Sequence, residues 1–222
     1  MATMAMSLRV VVPPHPLIGH WLSVLRDRHT PAPLYASATT ELGRWLTYEA
    51  LRYWLPETTL PLDTGLAQIE GQVVNGQVPV LACLLGNAAL GLWDGARPVL
   101  PSARVLHLDP ADPQLPADLD GGSGVLVFAP ELASGASLQR LLDRLQQRGF
   151  SGERVRVITA LCCQAALKRL GEAFEGASEE FWIYTGCIDA ELNGAGRIVP
   201  GIGVVEQRLF GGLQLEAAGT AA

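Results

Sequence analysis

The strongest constraint on this chain is a regular alternation over residues 124–188. An apolar run, Val125–Phe128, passes through Pro130 into a turn of small residues, Ala133-Ser134-Gly135-Ala136-Ser137. A segment with Leu138, Leu141, Leu142 and Leu145 at helical spacing follows at once. Short apolar runs bounded by turn residues suit strands covered on both faces, and leucines three or four apart mark the buried stripe of a helix. The same alternation continues, predicting strands over 125–129, 154–161 and 181–188 and helices over 137–148 and 163–174. Strands joined through helices imply crossover connections and parallel pairing. The expected fold class is therefore α/β, with a doubly wound, mainly parallel sheet.

Upstream, Leu17, Trp21, Val24 and Leu25 make one stripe and predict a helix over 16–28. A second, over 34–55, carries Leu34, Ala38, Leu42, Trp45, Leu46 and Leu51, with Pro31 and Pro33 before its start. Together these form an N-terminal helical arm, residues 15–55. Residues 56–76 read as a strand followed by a hairpin or turn, a buried strand begins at Val78, "GNAALGLW" is a weak helix, and "ARVLHL" is another strand. Residues 110–124, "PADPQLPADLDGGSG", read as a flexible loop. The expected organisation is a tail (1–14), a single domain (15–215, with its βαβαβ core over 124–188) and a second tail (216–222).

Composition narrows the function classes. With 49% hydrophobic and 17% charged residues, mean hydropathy +0.23 and five tryptophans, the chain predicts apolar surface covered by a homodimer mate or a partner protein. A net charge of -6, with Lys168 as its one lysine, argues against nucleic-acid binding. The segment "VPVLACLLGNAALGLW" is interrupted by Asn87 and glycines, so no membrane insertion is expected. Cys83, Cys162, Cys163 and Cys187 show no CxxC and read as small core residues of a protein in the reducing cytoplasm. His15, His20, His29 and His107 lack paired metal spacing, and no protein-bound metal site is predicted.

Three stretches carry a family resemblance. "HPLIGHWLSVLRDRHT" supplies His15, Pro16, Leu17, Leu25, Arg26, Asp27 and Thr30; "ELGRWLTYEALR" follows; "IDAELNGAGRIVPGIG" with "RLFG" lies near the C-terminus. In this order they resemble the uracil phosphoribosyltransferases, over roughly residues 15–212. The resemblance implies a phosphoribosyltransferase-like fold. It also implies an activity: joining uracil to phosphoribosyl pyrophosphate (PRPP) to give UMP and pyrophosphate, with Mg²⁺ if the chain is active.

On that resemblance, Ala133, Ser134, Gly135, Ala136 and Ser137 are the phosphate-binding candidates, provided Ala136 keeps a negative φ. Without it, the same turn reads as a strand-to-helix connection capped by Ser137. Ile198, Val199, Pro200, Gly201 and Gly203 are the uracil-binding candidates, or simply a demanding Pro-Gly turn. The charged half of the site departs from the pattern. Ala129 stands where the family has Asp, Ala82 where it has Arg, Leu84 where it has Gly, and Val204 and Gln207 where it has two Asp. The arm with a Tyr-Arg-Asp run is missing after the strand ending near Leu108. Replacing one Arg fork by a methyl group removes a charged hydrogen bond worth about 1.5–3 kcal/mol. Glu131, Glu206 and Arg208 remain as catalytic candidates, with Arg104 a further cation, although Glu131 sits two places along the turn from the missing acid.

These substitutions together predict a uracil phosphoribosyltransferase-like protein that has lost turnover and works as a binding, regulatory or assembly subunit, retaining a uracil, UMP or PRPP site. The alternatives are a divergent active enzyme making UMP, and a purely structural subunit of a larger complex.

Overall fold

The apolar runs become strands because no side of them can face water. Every residue of Val80–Leu85 and of Gly124–Phe128 is buried. The computed structural model describes residues 8–100, 102–119, 122–150, 152–174 and 180–211. In chain order the elements begin with β1 (Arg9–Val11), α1 (Pro16–Arg26), α2 (Ala32–Leu51), β2 (Glu57–Asp63), β3 (Gln68–Val74), β4 (Val80–Leu85), α3 (Ala89–Ala96) and β5 (Arg104–Leu108). They continue with β6 (Gly124–Phe128), β7 (Glu131–Leu132), α4 (Ala136–Gln147), β8 (Val155–Thr159), β9 (Leu161–Cys163) and α5 (Gln164–Ala173). The last are β10 (Trp182–Thr185), β11 (Ile188–Asp189), β12 (Glu191–Leu192), β13 (Ile198–Val199) and α6 (Val205–Phe210).

Six strands form one sheet in the order β1-β10-β8-β6-β4-β5, all parallel. Side chains alternate between its faces. Ala82, Leu84, Leu126, Phe128 and Ile158 pack under α1, α2 and α3, while Leu81, Cys83, Val125, Val127, Val157 and Ile183 pack under α4 and α5. This is the doubly wound α/β layering that the alternation predicts. Each fully buried leucine of α4, such as Leu138 or Leu141, contributes about 1.5–3 kcal/mol. The N-terminal helices are present and form a layer of the core: Leu25, Leu42 and Leu46 are wholly buried. Helices α2 and α3 touch backbone to backbone, since a Cβ on Gly95 would lie 1.7 Å from the Thr40 carbonyl oxygen.

Several details differ from the sequence reading. Residues Arg9–Val11, read as tail, add an edge strand because their backbone pairs with Trp182–Tyr184. The strands expected over 154–161 and 181–188 each break and resume one layer further on, so that β7, β9 and β11 make a second, small parallel sheet in the order β11-β9-β7. Within the loop read as flexible over 110–124, residues 110–116 are tied down by arginines on α4 and at its C-cap. Arg140 donates to the Pro110 carbonyl (2.8 Å), Arg148 to that of Pro116 (3.1 Å), and Arg144 pairs with Asp112. The segment over 56–76 is one antiparallel hairpin, β2 with β3, turning at 64–67. The tail 216–222 lies outside the described residues. Among the described residues no helix is long and apolar enough to cross a membrane. Cys83, Cys162 and Cys163 are buried, and burial pushes the Cys83 thiol up to about 12 and that of Cys162 up to about 11.

Candidate active site

Ligands of open parallel sheets sit beyond the carboxyl ends of the strands, and here that end is closed by two neighbouring turns. The first runs from β6 through Ala129 and Pro130 into α4. Gly135 caps the helix at φ +74°. Its backbone passes so close to α5 that a Cβ would lie 3.1 Å from the Ala166 carbonyl oxygen. Ala136, the first residue of α4, keeps the negative φ that the resemblance required of it. The cap is Gly135 and not Ser137, whose Oγ accepts from Arg140 at 3.2 Å. The Ala136 N–H points back to Ser134 Oγ at 3.4 Å. The N–H groups of the first turn of a helix carry partial positive charge. A cavity of about 220 Å³ lies over them, lined by Leu85, Pro110 and residues 129–138.

The second turn follows β13, where the Val199–Pro200 peptide is cis. It borders a larger cavity, about 470 Å³, whose walls include Glu131, Arg197, Ile198, Pro200, Gly203 and Glu206. Leu85, Pro110, Pro130, Glu131 and Ala133 line both cavities, so the two are neighbours across this shared wall. Behind this turn, Gly201 and Ile202 face the protein. The Asp189 carboxylate accepts the Gly201 N–H at 3.0 Å, and Arg26 donates to the Gly201 carbonyl at 3.1 Å. Arg26 also forks onto both Asp189 oxygens, at 2.6 and 3.0 Å. Burial pushes the Asp189 carboxyl up, but the Arg26 fork and the Gly201 N–H outweigh it and hold the group below its ordinary value. The Ile202 carbonyl accepts from Tyr35 Oη and from Arg208, both at 3.2 Å.

The candidates distribute unequally over this geometry. Glu131, on β7, lines both cavities, and burial pushes its carboxyl up to about 7, with Arg197 opposing the rise and Asp189 adding to it. Glu206 lines the larger cavity; Ala133, Ser134, Gly135, Ala136 and Ser137 line the smaller. Ile198, Val199, Pro200 and Gly203 face the larger cavity, whereas Gly201 is turned into the Arg26–Asp189 pair. Arg208 is turned away as well. It sits 4.1 Å over the Tyr35 ring and donates to the carbonyls of Leu25, Asp27, Thr30 and Ile202. Arg104 is paired with Asp118 at 2.9 Å. Arg26, Asp189 and Arg197 did not stand out in the sequence as site residues. Yet Arg26 and Asp189 lie inside the stretches that carry the resemblance, and that was the available signal.

The family model for uracil phosphoribosyltransferase matches residues 12–212. The chain is 43% identical to the uracil phosphoribosyltransferase of Synechococcus elongatus, over 94% of this chain and 99% of that one. It is 36% identical to the chloroplastic enzyme of Arabidopsis thaliana, over 91% of this chain and 71% of that one. Among solved structures it is similar to the AQ2163 protein of Aquifex aeolicus, with TM-score 0.75, 29% identity, and coverage of 90% of this chain and 97% of that one.

These relatives overturn the expectation of a chain without turnover, because proteins 36–43% identical to it along nearly its whole length bear the name of the enzyme. The physical basis of that expectation also weakens. Ala82 and Leu84 are wholly buried among the core residues under α3 and line neither cavity, so the departures counted there fall in the core. The resemblance read from three short stretches extends over the whole matched range, and the chain belongs to the uracil phosphoribosyltransferase family.

Proposed function

We propose that this protein is an active, divergent uracil phosphoribosyltransferase, joining uracil to PRPP to form UMP and pyrophosphate. The observation that carries the reading is the pair of adjoining cavities, one over a helix N-terminus, the other along the Ile198–Gly203 turn, with Glu131 lining both. In this arrangement the 5′-phosphate lies on the N–H groups opening α4, which suit an anion without any lysine. The pyrimidine lies along the backbone of Val199, Pro200 and Gly203, and the ribose spans the gap. N1 of uracil bonds to C1′ as the C1′–oxygen bond to pyrophosphate breaks, and the N1 proton is released. Positive charge grows on the ribose as that bond breaks, and the Glu131 carboxylate stabilises it from the cavity wall.

Arg197 supplies the cation for the departing pyrophosphate, the role for which the sequence offered Arg208 or Arg104. Glu131 and Glu206 are the carboxylates lining the larger cavity. So sparse a donor set suits Mg²⁺ that arrives on PRPP oxygens as part of the substrate. We read residues 15–215 as one domain and place it in the cytoplasm, where its buried thiols stay reduced. We also read the β2–β3 hairpin as a contact for a second copy. Leu60, Leu62, Leu66 and Ile69 are exposed along it, and a two-stranded ribbon is marginal alone. Sedimentation of the purified chain tests this, and a monomer at micromolar concentration would remove it.

The test of the activity is chromatography of UMP from labelled uracil, PRPP and Mg²⁺. UMP formed by the wild type and lost in Glu131→Ala supports the reading. No UMP from folded wild-type protein refutes it.

A further inference from the structure

Both polar groups of one residue in the turn after β13 are held by a single ion pair, although Arg26 and Asp189 come from opposite ends of the chain. Asp189 takes the Gly201 N–H and Arg26 takes the Gly201 carbonyl, while the fork between Arg26 and Asp189 fixes the two side chains to each other. The Asp189 side chain is 4% exposed, so water competes poorly for these bonds. Cys187 adds to the pair: its sulfur accepts from Arg26 at 3.2 Å and its S–H faces Asp189 at 3.4 Å. The turn therefore has two sides. Gly201 and Ile202 are anchored from behind, and Pro200 and Gly203 form cavity wall. Rotating the Gly201 backbone would break bonds to two charged groups at once, and its neighbours inherit that rigidity.

We propose that Arg26 and Asp189 are positioning residues for the pyrimidine: they touch no substrate, and they set the direction of the backbone groups that Pro200 and Gly203 present to the base. This assignment rests on the reading of that turn as the uracil end of the cavity. Lysine cannot replace Arg26, because a single ammonium cannot fork onto the carboxylate and reach the Gly201 carbonyl together. Asparagine cannot replace Asp189, since its amide cannot accept from the Gly201 N–H and from both arms of Arg26.

The test uses Arg26→Lys and Asp189→Asn in the full chain, with two independent readouts. Steady-state kinetics should show KM for uracil raised about 10- to 100-fold, the scale of a misplaced binding contact, with KM for PRPP and kcat within about threefold of wild type. Equal changes in both KM values, or a fall in kcat at unchanged KM for uracil, would overturn the assignment. Amide hydrogen exchange of the ligand-free protein gives the second readout. Protection at Gly201 should fall while that of the β6 and β8 amides holds, whereas unchanged exchange at Gly201 would also overturn it. If wild-type protein makes no UMP, the functional reading fails, and the exchange experiment still decides whether the pair fixes the turn.

Discussion

The cap of helix α4 is pressed against helix α5 at one point: Gly135, at φ +74°, lies where a Cβ would come within 3.1 Å of the Ala166 carbonyl oxygen. Two constraints thus fall on one residue, a left-handed backbone and a close approach to fixed main chain. Gly135→Ala should cost about 1–2 kcal/mol from the left-handed conformation and tilt the N–H groups that open α4. UMP formation should fall more than about tenfold through a raised KM for PRPP, with KM for uracil little changed. Kinetics with each substrate varied in turn will check this, and a variant with wild-type KM for PRPP would remove the cradle from the phosphate role.

Glu131 couples the site to pH. Its folded pKa of about 7 stands above the ordinary 4.5 because burial disfavours the charged form. A group raised in this way adds stability below about 4.5 and loses that contribution as pH rises through 7. Glu131→Gln should therefore match wild type near pH 4.5 and exceed it at pH 8 by on the order of 1–3 kcal/mol. Urea unfolding of the ligand-free proteins at both pH values measures the difference. A gap that is the same at both would show that the carboxyl does not titrate in this range.

Arg197 lines the larger cavity beside Glu131 and is the arginine on that wall. Arg197→Ala should raise KM for PRPP about 10-fold, the worth of one charged hydrogen bond, and leave thermal stability within a few degrees, because the residue is exposed. Arg208→Ala should behave in the opposite way. Removing four carbonyl contacts and the stack on Tyr35 should lower the melting temperature first and activity only through it. Melting curves paired with kinetics separate the two arginines.

The arginines of α4 and its C-cap hold residues 110–116 beside the cavity that Pro110 helps to line. Each exposed contact is worth at most about 1 kcal/mol, so single alanine substitutions should be nearly silent. Arg140, Arg144 and Arg148 replaced together should speed proteolysis within 110–116 several-fold, with little change in global unfolding. Limited proteolysis followed by mass spectrometry of the fragments reads this directly.

The fold was legible because its signals are local. An unbroken apolar run such as Val125–Phe128 declares a strand covered on both faces, and a leucine stripe such as Leu138–Leu145 declares a helix through its 3.6-residue period. The turn at Gly135 was equally legible, since a glycine among small residues between a strand and a helix can take the left-handed conformation that a tight turn needs. The family came from motif order along the chain.

What stayed hidden depends on direction and on partners far away in sequence. Ala82 and Leu84 read as losses from the site, yet they point into the core, because the facing of a strand residue is fixed by the sheet and its helices. Arg208 read as a catalytic cation until four carbonyls from distant segments turned it into a structural staple. Gly201 read as a group facing the base until Asp189 and Arg26 claimed its N–H and carbonyl. The sequence alone determined the layers, the two turns and the family. Only the tertiary structure decided which polar groups remain for a ligand, because a hydrogen-bond donor or acceptor already satisfied within the protein is no longer free to bind one.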